Sequence, residues 1–438
     1  MAILSKEEAQ AILKKALSFS KSDSCEVSLN GSEGGNIRYA RNAVSTAGQI
    51  STMDLAVSAT FGKKTGSATI NEFDDASIEK VVKRAEELAQ LAPENPEFMP
   101  LLGPQDFPES PTYIPKTAAI TPDTRAEMVA KSLQVVKEAK LEAAGFLENG
   151  TNFNAIMNSK GLFAYNKSTD VSFSVTVRNQ EGTGSGYVDQ GFNDVDKMDT
   201  LALSKIAAKK ATGSAGAKAI EPGKYTVILE PLAASDMLGN MFRGFDARSA
   251  DEGRSFMSKK GGGTRLGEQL FSENVNLYSD PMNPDLPSAT WNGDGLRLKR
   301  TQWVEKGVVK NLAYSRYWAA QKGVEPVPFG RSFVMEGGNQ SLEDLIKGTE
   351  KGILVTRFWY IRSVDPQTLL LTGLTRDGTF YIENGEIKFP VKNFRFNESP
   401  VIMLNNVEAL GKPVRMGNVM VPPMKIRDFT FTSLSDAV

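Results

Sequence analysis

The chain has 438 residues, 51 Lys+Arg against 52 Asp+Glu, one Cys and no His. Without His there is no Ser-His or Cys-His nucleophile pair, no imidazole acid-base step and no His-ligated metal; a single Cys leaves neither a Cys/His zinc set nor an intramolecular disulfide. A net charge of -1 argues against a nucleic-acid footprint, and 40% hydrophobic residues suffice for the buried cores of two or three globular domains.

The first unit, residues 1–92, reads as helix, strands, helix. Ser5 and Glu8 form a capping box ahead of Ala9, Ile12, Leu13 and Ala16 on one helical face. Cys25, Val27 and Leu29 alternate as a strand, and a Gly-rich turn is expected at Gly31 to Gly35. Met53, Leu55 and Val57 alternate again. A turn at Gly62 to Gly66, a short strand with Ala68 and Ile70, and a helix from about Ser77 follow. Residues 93–115 carry seven of the 21 prolines, which excludes an ordinary helix or central strand and reads as an extended linker.

A second α+β unit covers 116–217. Thr121-Pro122 starts a helix expected to reach about Ala144. Strand-like segments lie at Ala155 to Met157, Leu162 to Tyr165 and Val171 to Val177, and another helix covers about Thr200 to Ala211. The remainder, 218–438, is β-rich. Tyr225 to Leu229 reads as a strand, Pro231 to Phe242 as a helix, and hairpins turn at Lys306-Gly307 and Asn384-Gly385. The fold class expected is α+β: two helix-and-antiparallel-sheet units followed by a β-rich C-terminal domain.

Short motifs give little. Gly62-Lys63-Lys64, the glycines at 182, 184 and 186, and Gly261 to Gly263 fail the phosphate-loop spacings and read as turns. Ser18/Lys21 and Ser77/Lys80 match S-x-x-K without any supporting motif. Asp194 and Asp196 sit in a polar loop where solvated charge outweighs a cation site. The first residues are not signal-peptide-like, and no run of about 18 apolar residues exists to span a membrane.

The C-terminal half carries a family resemblance. Gly253-Arg-Ser-Phe-Met257, Gly352-Ile-Leu-Val-Thr-Arg-Phe-Trp359, Tyr381 to Val391, and Val421-Pro-Pro-Met-Lys-Ile426 followed by Phe431-Thr-Ser433 resemble the TldD/PmbA family, which also bears the label putative modulator of DNA gyrase. The order and spacing agree over about Tyr225 to Ser433, and more loosely before that. The resemblance implies a zinc metalloprotease of two similar subunits that degrades or matures extended peptides. In its TldD-type subunit, H-E-x-x-x-H on a helix and a downstream Cys hold zinc. Here the matching helix segment is Ser235-Asp-Met-Leu-Gly-Asn240. Ser235 and Asn240 stand at the two His and Asp236 at the Glu, while Met416 lies where the Cys is sought.

These pseudo-active-site positions imply the TldE/PmbA-type subunit: no catalytic residue and no cofactor of its own, with zinc on a TldD-type partner. The expected partners are that subunit in a heterodimer, or a second copy in a homodimer, and an extended peptide, with no nucleic acid, no membrane and a cytoplasmic location. Two alternatives stay open: a peptidase with a site of different composition, and a stand-alone peptide-binding homodimer.

Overall fold

The computed structural model describes residues 3–330 and 332–435. The first half builds one six-stranded antiparallel sheet in the order β3-β2-β1-β4-β5-β6. Its strands are β1 (Ser24–Ala40), β2 (Ala43–Phe61), β3 (Lys64–Ile70), β4 (Glu142–Asn158), β5 (Phe163–Arg178) and β6 (Ser185–Phe192). The two helix-and-strand units thus share a sheet, joined by the β1–β4 pairing from Glu26↔Asn158 to Tyr39↔Gly145.

Four helices cover one face. Helix α1 (Lys6–Phe19) closes the expected capping box: the Ser5 hydroxyl accepts from Glu8 N and the Glu8 carboxylate from Ser5 N, at 3.2 and 2.8 Å. With α2 (Asp75–Leu91) it buries Val27, Leu29, Leu55, Val57 and Phe153. After the short α3 (Pro115–Ala118), α4 (Pro122–Glu138) and α5 (Thr200–Gly213) cover Ile37, Tyr39, Leu147 and Phe173. Side chains alternate across a strand, so these odd-numbered residues of β1 and β4 share a face. The even-numbered residues on the other face are mostly polar. Asn30 donates to Asp54 and accepts from Asn154, and Asn152 donates to Asp170 (2.8–3.1 Å).

Two expectations in this half are corrected. Gly31 to Gly35 form no turn; they lie inside β1, and the chain reverses at Arg41-Asn42, both with positive φ. Close approach accounts for two of these glycines instead: a Cβ on Gly34 would meet the backbone Asn149 O at 2.5 Å, and one on Gly35 would take the space of the Arg125 guanidinium, at 2.4 Å. The helix from Pro122 ends at Glu138, not Ala144, because Lys140 takes φ 55° and β4 begins at Glu142.

The second half adds β7 (Lys224–Leu229), α6 (Pro231–Phe242), β8 (Leu277–Ser279), β9 (Thr301–Glu305), β10 (Val308–Val309), β11 (Phe333–Met335), β12 (Lys351–Asp365), β13 (Leu370–Glu383), β14 (Glu386–Pro390), β15 (Phe394–Glu398), β16 (Val407–Leu410), β17 (Val414–Met416), β18 (Val419–Val421) and β19 (Met424–Leu434). The path β12-β7-β19-β15-β13 closes on itself through β12–β13, forming a five-strand barrel. Its largest apolar cluster includes Ile353, Val355, Phe394, Phe396, Phe429 and Phe431, with α6 packed against it through Ala234, Met237, Leu238 and Met241. Both expected hairpins form, at Lys306-Gly307 and Asn384-Gly385, with positive φ at all four residues as two-residue hairpin turns require. The segment 93–115 holds neither strand nor long helix and is strapped to the C-terminal half. Glu97 pairs with Arg248 through two bonds of 2.8 and 2.9 Å, Gln105 donates to Gly295 O, and Ser110 donates to Pro281 O.

Candidate functional site

The four residues singled out in sequence gather where the edge strand β6 meets α6, the β17–β18 hairpin and the barrel strands β12 and β13. Helix α6 starts at Pro231, whose missing N–H costs nothing at a first helical position. Its neighbour Glu230 is tied to Lys210 of α5 at 2.6 Å, with both side chains mostly buried.

On α6, Ser235 donates to the carbonyl of Leu232 at 2.8 Å, and the Asn240 amide donates to the carbonyl of Asp236 at 2.8 Å. Both side chains thus donate to the helix's own backbone. The Asp236 carboxylate accepts from Phe358 N on β12 at 3.3 Å. Burial pushes its pKa up to about 7; the Phe358 hydrogen bond and the Arg357 charge pull it down, and the Asp189 charge raises it further. Met416 Sδ accepts from Gln190 Nε2 of β6 at 3.7 Å, which brings the fourth position against the sheet edge.

Several residues here were not singled out in sequence. Asp377 on β13 is 2% exposed, pairs with Arg357 at 2.6 Å and accepts a short hydrogen bond from Ser185. The Arg357 guanidinium lies 3.8 Å from the Tyr187 ring centroid, and the Tyr187 hydroxyl donates to Asp189 at 2.9 Å. Burial and the Asp189 charge hold the Tyr187 hydroxyl well above the usual tyrosine range. A cleft of about 170 Å³ opens beside this network, lined by Tyr187, Asp189, Gln190, Glu230, Val414 and Met416. Arg357 Nε and Gln190 Oε1 are buried without a hydrogen-bond partner, one a donor and one an acceptor. The available signal was weak: Arg357 lies inside the Gly352–Trp359 segment, but Tyr187 and Asp189 belong to a short polar strand that no motif marks.

The other sequence candidates are structural. Asp194 caps a short turn and Asp196 pairs with Lys116. Ser18 donates to Lys15 O, and Ser77 donates to Glu72. Lys259 pairs with Glu268 at 2.9 Å.

Three consecutive family models match the chain: PmbA/TldA metallopeptidase domain 1 over residues 25–89, the central domain over 111–215 and the C-terminal domain over 222–433. The chain belongs to the PmbA/TldD metallopeptidase family. It is 25% identical over 293 residues to a metalloprotease of Methanothermobacter thermautotrophicus, covering 60% of this chain and 61% of that protein. It is 22% identical over 464 residues to metalloprotease PmbA of Escherichia coli O157:H7, covering 97% and 98% of the two chains. The crystal structure of TldE from Thermococcus kodakarensis superposes with a TM-score of 0.86 at 19% identity, over 97% of this chain and 99% of that one.

The family's description implies a metal, and the residues at this junction do not fit one. The groups present are a neutral hydroxyl, a neutral amide, a thioether and a single carboxyl, Asp236, whose pKa burial raises. Zinc takes imidazole, thiolate or ionised carboxylate. Among the described residues, no group of three or more His, Cys, Asp or Glu stands close enough to hold a metal ion.

Proposed function

We propose that this chain is the non-catalytic, TldE/PmbA-type member of a two-subunit zinc metallopeptidase, and that it shapes the chamber in which a TldD-type partner cleaves an extended peptide. The observation that carries the reading is the absence of any His from the sequence, so that no H-E-x-x-x-H helix can exist in it; the family resemblance sets Ser235, Asp236 and Asn240 against that motif. Two features support a role in holding peptide. The polar face of the six-stranded sheet offers short amide, hydroxyl and carboxylate side chains as far as Asp189 on the edge strand. At that edge, Asp189 and Gln190 line a cleft beside α6 and the β17–β18 hairpin, where an extended backbone could lie against β6.

The test has three arms, each given an unfolded peptide: this chain alone, a TldD-type subunit with H-E-x-x-x-H alone, and the two mixed. Cleavage that appears only in the mixture, and is lost with chelator, is the expected result. A partner that is fully active and monomeric without this chain sinks the reading; chelator-sensitive turnover by this chain alone would instead establish a peptidase with a different site.

A further inference from the structure

The helix-covered face of the six-stranded sheet is interrupted. Between the apolar patch under α1 and α2 and the one under α4 and α5 runs a polar strip. There Gln49, Gly35 and Asn149 stand side by side across β2, β1 and β4, and Ser51, Glu33 and Thr151 form the next row. A cavity of about 310 Å³ opens over this strip, at the lower end of the range that small-molecule sites occupy.

Arg125, from the first turn of α4, closes one wall. It is 4% exposed. Its Nη1 donates to Asn149 Oδ1 at 2.8 Å, and its guanidinium lies flat where a Cβ on Gly35 would be. Nε finds no acceptor. Nothing charged offsets the burial that pulls its pKa down, and it forms no ion pair among the described residues. A buried guanidinium without a counter-charge is normally avoided, because the lost hydration has no compensation. Here Gly35 makes the room for it, and uncharged Gln49, Ser51, Asn149 and Thr151 surround the cavity beside it.

We propose that this cavity binds the carboxylate of a small molecule, with Arg125 as its counter-charge. A carboxylate fits better than a phosphate. The planar fork of one Arg matches one carboxylate, whereas a phosphate dianion calls for further cations, and the remaining charged wall residue is Glu33. Two sources share this chemistry: the C-terminal end of an amino acid or short peptide, and a plain carboxylate metabolite. The site lies on the opposite face of the sheet from Asp189 and does not depend on the peptidase reading.

Calorimetric titration of the full chain tests it with four probes: Ala-Ala, Ala-Ala amide, acetate and inorganic phosphate. Ala-Ala or acetate should bind saturably, with Ala-Ala at least about tenfold tighter than its amide, the cost of losing one charge-assisted pair. Acetate as tight as Ala-Ala assigns a plain carboxylate, and weaker acetate assigns a peptide end. Arg125→Gln should lose the binding. Ser51→Trp, which fills the cavity from an exposed strand position and leaves Arg125 and Asn149 themselves in place, should lose it too and covers the case in which R125Q does not fold. Equal binding of acid and amide, tighter binding of phosphate, or no saturable binding of any probe overturns the proposal and leaves Arg125 as a pin between α4 and β4.

Discussion

Asp236 is a residue whose chemistry departs far from its ordinary state. Its pKa rises from 3.8 to about 7 through burial, so between those values the folded chain keeps a proton that the unfolded chain releases. Its contribution to stability is therefore full below about pH 4, declines as pH rises towards 7 and is flat above. Asp236→Asn, whose amide oxygen can still accept from Phe358 N, removes that decline. Denaturant titrations should show the variant matching the parent near pH 4 and exceeding it at pH 8 by at most about 4 kcal/mol. Arg357 and Asp377 make the complementary case. Arg357→Met takes the nearer charge partner from a carboxylate that is 2% exposed, leaving Arg376 at 3.9 Å, and should cost up to about 3–5 kcal/mol in the same measurement. Adding Asp377→Asn should recover part of that loss, since it removes the under-compensated buried charge. The family resemblance singled out Asp236 in sequence. It could not locate Arg357, Asp377, Tyr187 or Asp189 as a group, because they come from three strands that only the closed barrel and the sheet edge bring together.

Among the elements, local chemistry was most legible where the backbone demands a particular residue. Asn384-Gly385 and Lys306-Gly307 sit at turns with positive φ, and Ser5 with Glu8 caps α1 as its spacing implies. Glycine misled where its role is closeness instead of curvature. Gly31 to Gly35 look like a turn in one dimension, yet they run straight through β1. Gly66 shows the same logic on β3: a Cβ there would lie 2.1 Å from Ala89 N and 2.5 Å from Ala85 O of α2. Both are helix backbone and cannot rotate away. Gly66→Ala must therefore push α2 off the sheet, and should lower stability by about 1–3 kcal/mol, read as a drop in denaturation midpoint. A serine on the exposed turn at Gly182, where nothing lies within reach, meets only the strain of its positive φ and should cost less.

At the scale of the molecule, the α+β class and the β-rich second half follow from periodicity and turn chemistry. The joining of the two early units into one sheet does not, because the β1–β4 register depends on pairings between residues more than a hundred positions apart, such as Gly31 with Phe153. The barrel was hidden for the same reason: its closing pair β12–β13 is a local hairpin, but β19 reaches its place between β7 and β15 only from the far end of the chain. The strap at 93–115 adds a further long-range tie through Glu97–Arg248 and Gln105–Gly295. Glu97→Gln should weaken that tie while leaving the sheet intact, and limited proteolysis should then cut within 93–115 faster than in the parent. That strap also bears on the order of events during synthesis. The first sheet and its own contacts with the strap, such as Asn95 N–H to Lys63 O and Thr112 to Lys167 O, can form while the chain is still emerging, but Glu97, Gln105 and Ser110 wait for Arg248, Gly295 and Pro281 to be made. Full protection of the segment from protease thus reports that the first sheet has met the part of the second half that carries Arg248, Pro281 and Gly295.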